Sequence, residues 1–188
     1  MDPQTILTFW FHPSPNMDKW FAASATYDDY ITTTFKSTLK MAEGGHLIGW
    51  TQHRDSFVAL IVLLDQFSRH IYRGNANAFQ NDSAALTVAT AGIDVYYDQL
   101  NKYEKLFVLM PFTHAENVAS QQKGLQYINS ERTKCPDDPW WKEVHQHAIG
   151  HLHVIKTFAR FPKRNRVLGR RSTPAEIQYM NEFPDRPY

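Results

Sequence analysis

The sequence predicts an all-α fold of about eight helices, and three observations carry that reading. Apolar residues recur near every 3.6 positions through most of the chain. Strict alternation of apolar and polar residues over five or more positions is rare, so no sheet is expected. The stretches between periodic segments are short, roughly three to eight residues, which favours neighbouring helices packed as antiparallel hairpins.

Helices are predicted at residues 3–11, 26–42, 54–72, 80–97, 101–110, 114–130, 139–161 and 173–182. Gly44-Gly45 stops the second, and Gly74 is suited to end the third through a left-handed cap. Asn81 or Asp82 can cap the fourth, whose apolar face, begun by Phe79 and Leu86, is read as core. Thr113-His114-Ala115-Glu116 reads as a capping box opening the sixth. Pro162 forces the chain out of the seventh. Ser172-Thr173-Pro174-Ala175-Glu176 combines an N-cap, a proline at the first helical position and a capping-box glutamate for the eighth. The tail from Phe183 to Tyr188 is proline-rich and is expected to pack as an extended end or to fray.

With 188 residues and 43% hydrophobic content the chain can bury a full core, and residues 1–188 are expected to form one domain. Lys and Arg total 20 against 19 Asp and Glu, so a net charge of +1 gives no global field for nucleic acid or an anionic membrane, and neither partner is expected. The longest apolar run, Phe57 to Leu64, is eight residues, well short of the roughly 18 to 20 that a membrane-spanning helix needs. Met1-Asp2-Pro3-Gln4 lacks the basic and apolar regions of a signal peptide, so a cytoplasmic location is expected. The single cysteine, Cys135, lies in a turn-like stretch and reads as a free surface thiol without a role. Nothing in the sequence names a cofactor or fixes an oligomeric state.

Three groups of residues could carry chemistry. In the third helix, Asp65 follows the apolar run and should leave water. Arg69 and Arg73 follow at four-residue steps, so the three can form a charge ladder along one face, either as an intrahelical ion pair or as a pocket wall. The second group is histidine. Glu143, His147 and His151 keep a four-residue step, and His114 with Glu116 could add donors, which would permit a metal. The chain lacks the His-Glu-x-x-His pattern, the Glu-x-x-His pairs of di-iron bundles and any cysteine pair, so no metal site is assigned. The capping box explains Glu116. At a helix N-terminus His114 would be held neutral, as a general base or as a hydrogen-bonded core histidine.

The third group is the turn Arg160-Phe161-Pro162-Lys163-Arg164-Asn165-Arg166, with Arg170 and Arg171 just beyond. Arginine's planar fork suits phosphate or carboxylate, Asn165 both donates and accepts, and Gly169 permits close backbone approach. Nucleic acid fits poorly, because the cations occupy one turn without interleaved aromatics. The competing reading is internal: some arginines neutralise Asp65, Glu116 and Glu143 in a buried network while Arg166 and Arg171 stay solvated.

Taken together, Trp20-Phe21, Leu64-Asp65-Gln66-Phe67-Ser68-Arg69, Arg73-Gly74, Asp82, Pro111 with His114 and Glu116, His151, Arg160-Phe161-Pro162-Lys163-Arg164-Asn165, Leu168-Gly169-Arg170 and Thr173 resemble the domain of unknown function 924 family across nearly the whole chain. The resemblance implies an all-helical, tetratricopeptide-like superhelical bundle, although no 34-residue repeat is visible in the sequence. It implies no established activity. The family's recurring polar positions match Asp65, Arg69, His114, Glu116, His151, Arg160, Arg164 and Asn165. The chain departs from the family pattern at Ser68, where proline is usual, at His70, where asparagine is usual, at Ala159, where glycine is usual, and at Lys163, where histidine is usual. Losing that histidine shifts the turn further toward plain anion binding.

Two functional readings stay open. In the first the protein is an enzyme acting on a small phosphorylated or carboxylated substrate. Arg69, Arg73, Arg160, Arg164, Asn165 and Arg170 hold the anion, and His114 or His151 acts as general acid or base oriented by Asp65 or Glu116. In the second it is a tetratricopeptide-like scaffold whose basic turn grips an acidic peptide or protein tail.

Overall fold

The computed structural model describes residues 1–13, 17–21, 24–184 and 186. The protein is all-α, with no strand among the described residues. The chain divides into two compact units, Met1–Pro111 and Phe112–Tyr188. No helix among the described residues is long and apolar enough to cross a membrane.

The first unit begins with α1 (Pro3–Phe11), capped by the Asp2 carboxylate, which accepts from the Gln4 N–H at 3.0 Å. Short α2 (Met17–Phe21) leads to α3 (Ala25–Glu43), whose N-cap is Ser24. The stretch predicted as one helix over 54–72 is three consecutive segments: α4 (Arg54–Ile61), a π-helical stretch Val62–Phe67, and α5 (Ser68–Ile71). The apolar run gave no warning of this, because a π turn inserts one residue into the ladder without changing composition. After Gly74, at φ +77, come a 3-10 turn (Ala76–Phe79) and α6 (Asp82–Tyr96). The start of α7 (Lys102–His114) completes the unit.

The core of this unit is aromatic. Trp10, Phe35, Phe57, Phe67 and Phe107 are fully buried, and Trp10 meets Phe67 and Phe107 edge-on at 5.4 Å between centroids, the geometry aromatic quadrupoles favour. Gly92 lets α6 lie against α4, because a Cβ there would stand 2.3 Å from the Phe57 ring. Two residues assigned to the core from sequence, Phe79 and Leu86, are only half-buried. The Phe79 face instead carries the Arg69 guanidinium, 5.7 Å from the ring centroid.

In the second unit, α8 (Val118–Lys134) and α9 (Pro139–Phe158) form a helical hairpin, with Asn117 and Asp138 as N-caps. Cys135 is the exposed, free C-cap of α8. Beyond α9 come a 3-10 turn (Pro162–Arg164) and α10 (Pro174–Glu182), where the capping box of Thr173 and Glu176 forms as predicted. Val154, Ile155, Phe161 and Tyr179 make the core that seats the turn. Of the tail, Asp185, Pro187 and Tyr188 lie outside the described residues, and the Arg186 N–H donates back to the Phe183 carbonyl at 3.4 Å.

The predicted capping box at Thr113–Glu116 does not form. The helix continues through Pro111 to His114, and the next starts at Val118 behind Asn117, whose Oδ1 accepts from the Ser120 N–H at 3.0 Å. Proline at position 111 removes one backbone donor without halting the helix, which ends one turn later. His114 therefore sits at a helix C-terminus, and the dipole argument for its neutrality falls.

Helix α9 ends at Phe158 rather than 161, and Ala159 occupies the left-handed position after it at φ 58. A Cβ is strained there, by about 1–2 kcal/mol. Ala159→Gly is therefore expected to stabilise the protein by about 0.5–1 kcal/mol, after allowing for glycine's greater freedom in the unfolded chain. A rise in the urea midpoint at unchanged slope would show it.

Candidate functional site

The basic turn is built around two carboxylate clamps, one buried and one half-buried. Glu176, the third residue of α10, is 2% exposed and accepts from Arg160 Nε at 2.6 Å and Arg160 Nη2 at 2.8 Å, a bidentate pair. Its Oε2 also accepts from the Thr173 N–H at 2.7 Å and from Asn165 Nδ2 at 3.3 Å. The Arg160 hydrogen bond, with the Thr173 and Asn165 donors, holds the Glu176 carboxyl down to about 2 against the opposing effect of burial.

The second clamp is Glu116, from the turn between α7 and α8. It accepts from Arg170 Nη1 at 2.6 Å and Nη2 at 3.0 Å, and from the Phe161 N–H at 2.8 Å. Burial works to raise its pKa, but Arg170, the Phe161 N–H and the charge of Arg164 hold the carboxyl below its usual range. Asn165, 1% exposed, joins the clamps: its Oδ1 accepts from Arg170 Nε at 2.9 Å while its Nδ2 faces Glu176 and Ser172.

Within this frame Arg164 lays its guanidinium over the Phe161 ring, 4.6 Å from the centroid, and donates to the His114 carbonyl at 3.2 Å. His151 meets the other part of that neighbourhood, edge-on to Phe161 at 5.4 Å and 6.4 Å from the His114 ring. Burial first, then the charges of His114, His147 and Arg164, push the His151 imidazole down to about 3, so it is neutral at physiological pH. His114, Glu116, His151, Arg160, Arg164, Asn165 and Arg170 are thus all parts of the second unit, around one turn.

Asp65, Arg69 and Arg73 belong to the first unit. Asp65 lies in the π turn with no exposure, and Gln66 Nε2 donates to it at 2.5 Å. Arg69 reaches Asp65 Oδ1 at 3.4 Å and Asp82 Oδ1 at 3.0 Å. Arg73 does not extend this ladder. It turns to Asp28 of α3, donating from Nη2 at 2.8 Å. The acidic partners Asp28, Asp82 and Glu176 were not selected from sequence as partners, since they stand 45, 13 and 16 residues from the arginines they meet; Asp82 was visible only as a cap and family position, and Glu176 only as a capping-box residue. Glu143 faces His147 at 3.9 Å on the exposed side of α9. Among the described residues no three histidine, cysteine or acidic side chains are grouped to hold a metal ion.

The model of the bacterial protein family of unknown function DUF924 matches residues 6–183. The chain belongs to the DUF924 family. A solved structure of a protein of unknown function from Agrobacterium tumefaciens, ATU0120, is 33% identical, with a TM-score of 0.84 over 96% of this chain and 97% of that one. No curated protein matches the chain. For this DUF924 member the comparisons therefore support the fold and leave the chemistry to the residues of the turn.

Proposed function

We propose that the protein is an enzyme acting on a small phosphorylated or carboxylated substrate, held by Arg164 and with His151 as the proton acceptor. The supporting observation is the division of labour in the turn. Arg160 and Arg170 are each matched by a carboxylate fork and serve as a rigid frame. Arg164, His114 and His151 meet around Phe161, where the charge of Arg164, which also acts on Glu116, adds to the burial that keeps the His151 imidazole neutral. An anion entering there would be attracted by Arg164, and its charge would raise the proton affinity of His151. Substrate binding would thereby bring the base toward the range where general-base catalysis is efficient. Asp65 and Arg69, in the other unit, are proposed as further members of the family's polar set without an assigned step.

By linkage, anion binding takes up a proton and strengthens as pH falls. Calorimetric titration with inorganic phosphate just above the free His151 value of about 3, in two buffers of different ionisation enthalpy, is expected to show that uptake. Arg164→Ala is expected to weaken binding roughly tenfold or more, the loss of a charge-assisted hydrogen bond. Binding that is equally strong in the variant, or that moves no proton, would remove the basis for the proposal.

One observation favours the scaffold reading. Lys163 donates to the Pro184 carbonyl at 2.6 Å and also to the Arg186 carbonyl, so the turn already holds backbone carbonyls of the chain's last described residues. If the protein were a scaffold, a short acidic peptide would bind and no phosphorylated or carboxylated small molecule would be turned over.

A further inference from the structure

Asp28, His70 and Arg73 form a three-membered cluster that the proposed site does not use. His70, near the end of α5, is 5% exposed. Its Nδ1 hydrogen-bonds to Asp28 Oδ1 at 2.8 Å, and against a carboxylate the imidazole is the donor. Arg73 grips both oxygens of the same carboxylate, and its Nη2 lies 3.3 Å from His70 Nδ1. On the remaining side α1 presents the Trp10 ring, edge-on to His70 at 5.7 Å. The charged groups facing His70 are thus Asp28 from α3 and Arg73 from its own stretch, while α1 contributes a neutral wall.

We propose that Asp28, His70 and Arg73 act as a proton-operated latch, which fastens the first turn of α3 to the end of α5 and opens when His70 takes a second proton. Neutral His70 leaves one arginine and one carboxylate in balance. Protonated His70 puts two cations on one carboxylate and a charge against a fully buried indole. Asp28, already shared with Arg73, offsets only part of that charge, and the nearly buried imidazole gains full hydration only if the two segments separate. Burial, then the proximity of Arg73, hold the His70 pKa below its ordinary 6.5 against the pull of Asp28.

The sign follows from that depression. The latch is fully closed above pH 6.5 and loses its hold as pH falls from there toward the lowered folded value. Asp28 itself, kept below its usual range by Arg73 and His70 against burial, weakens only in stronger acid.

Hydrogen exchange of the full chain tests this, with rates corrected for the intrinsic effect of pH. The amides to follow are Asp28, bonded to Ser24 O, and Tyr72, bonded to Ser68 O. Their opening equilibrium is expected to rise as pH falls below 6.5, by at most about tenfold per pH unit, until the lowered folded value is reached, one proton being taken up on opening. His70→Asn, which can still donate to Asp28 but does not titrate, is expected to abolish that dependence. The proposal is overturned if wild-type protection is the same at pH 7 and pH 5, or if His70→Asn loses protection in parallel with wild type. Should the variant not fold, imidazole ¹⁵N shifts of wild-type His70 decide: opening that tracks its titration supports the latch, and opening at any other pH refutes it.

Discussion

Glu176→Ala is expected to destabilise the protein by about 2–3 kcal/mol, the cost of leaving the buried Asn165 amide and the part-buried Arg160 guanidinium without their acceptor and of losing a helix cap. Glu176 is almost wholly buried, and four donors from three residues converge on it: two from Arg160, the Thr173 N–H and Asn165 Nδ2. Alanine abandons all four at once and takes away the α10 capping box. Glu176→Gln keeps the shape but offers a single acceptor oxygen and no charge, so it should fall between alanine and wild type. Urea denaturation of the three proteins measures the order. The same carboxylate makes stability depend on pH: its contribution is complete above the ordinary glutamate range and is lost as pH falls toward about 2.

Trp10→Ala is expected to cost more, about 3–5 kcal/mol, as the removal of a large buried aromatic does. Trp10 has no exposure and stands against Phe67, Phe107 and His70. Its loss opens a cavity where helices α1, α5 and α7 meet. That is a large share of the roughly 5–15 kcal/mol that a folded protein commands, so a much lowered urea midpoint is the expected readout. Trp10→Phe should cost distinctly less. It keeps most of the ring contacts, and Trp10 Nε1–H has no hydrogen-bond partner among the described residues, so its removal relieves a buried unsatisfied donor.

Helical periodicity was legible because it is local. Apolar spacing located the first, third and last helices to within a residue or two of Pro3–Phe11, Ala25–Glu43 and Pro174–Glu182. The π turn at Val62–Phe67 was not legible, since one inserted residue in the hydrogen-bond ladder leaves the run of Val, Ile and Leu unchanged. Thr113-x-x-Glu116 shows how a correct local signature can lose: Glu116 finds a bidentate arginine and a backbone N–H 45 residues away, which together outweigh a reciprocal cap. The turn's cation density was plain in the sequence. Which cations are neutralised was not, because Arg160 and Arg170 meet their carboxylates only after α9 and α10 have packed.

The resemblance to the DUF924 family was likewise legible, on the motif set from Trp20 to Thr173, and the family model covers the same span. Its tetratricopeptide-like arrangement remains an expectation; the helical hairpin of α8 and α9 is the element of the fold most in keeping with it.

The central claim is that an anion held by Arg164 sets the protonation of His151, and the most direct measurement follows the His151 imidazole by ¹⁵N and ¹³C NMR across pH, with and without inorganic phosphate. The account predicts an imidazole that stays neutral to about 3 in the free protein. Phosphate should move its titration upward by one pH unit or more, roughly a tenfold linkage, and Arg164→Ala should erase that movement. A His151 titration that saturating phosphate leaves unchanged would contradict it.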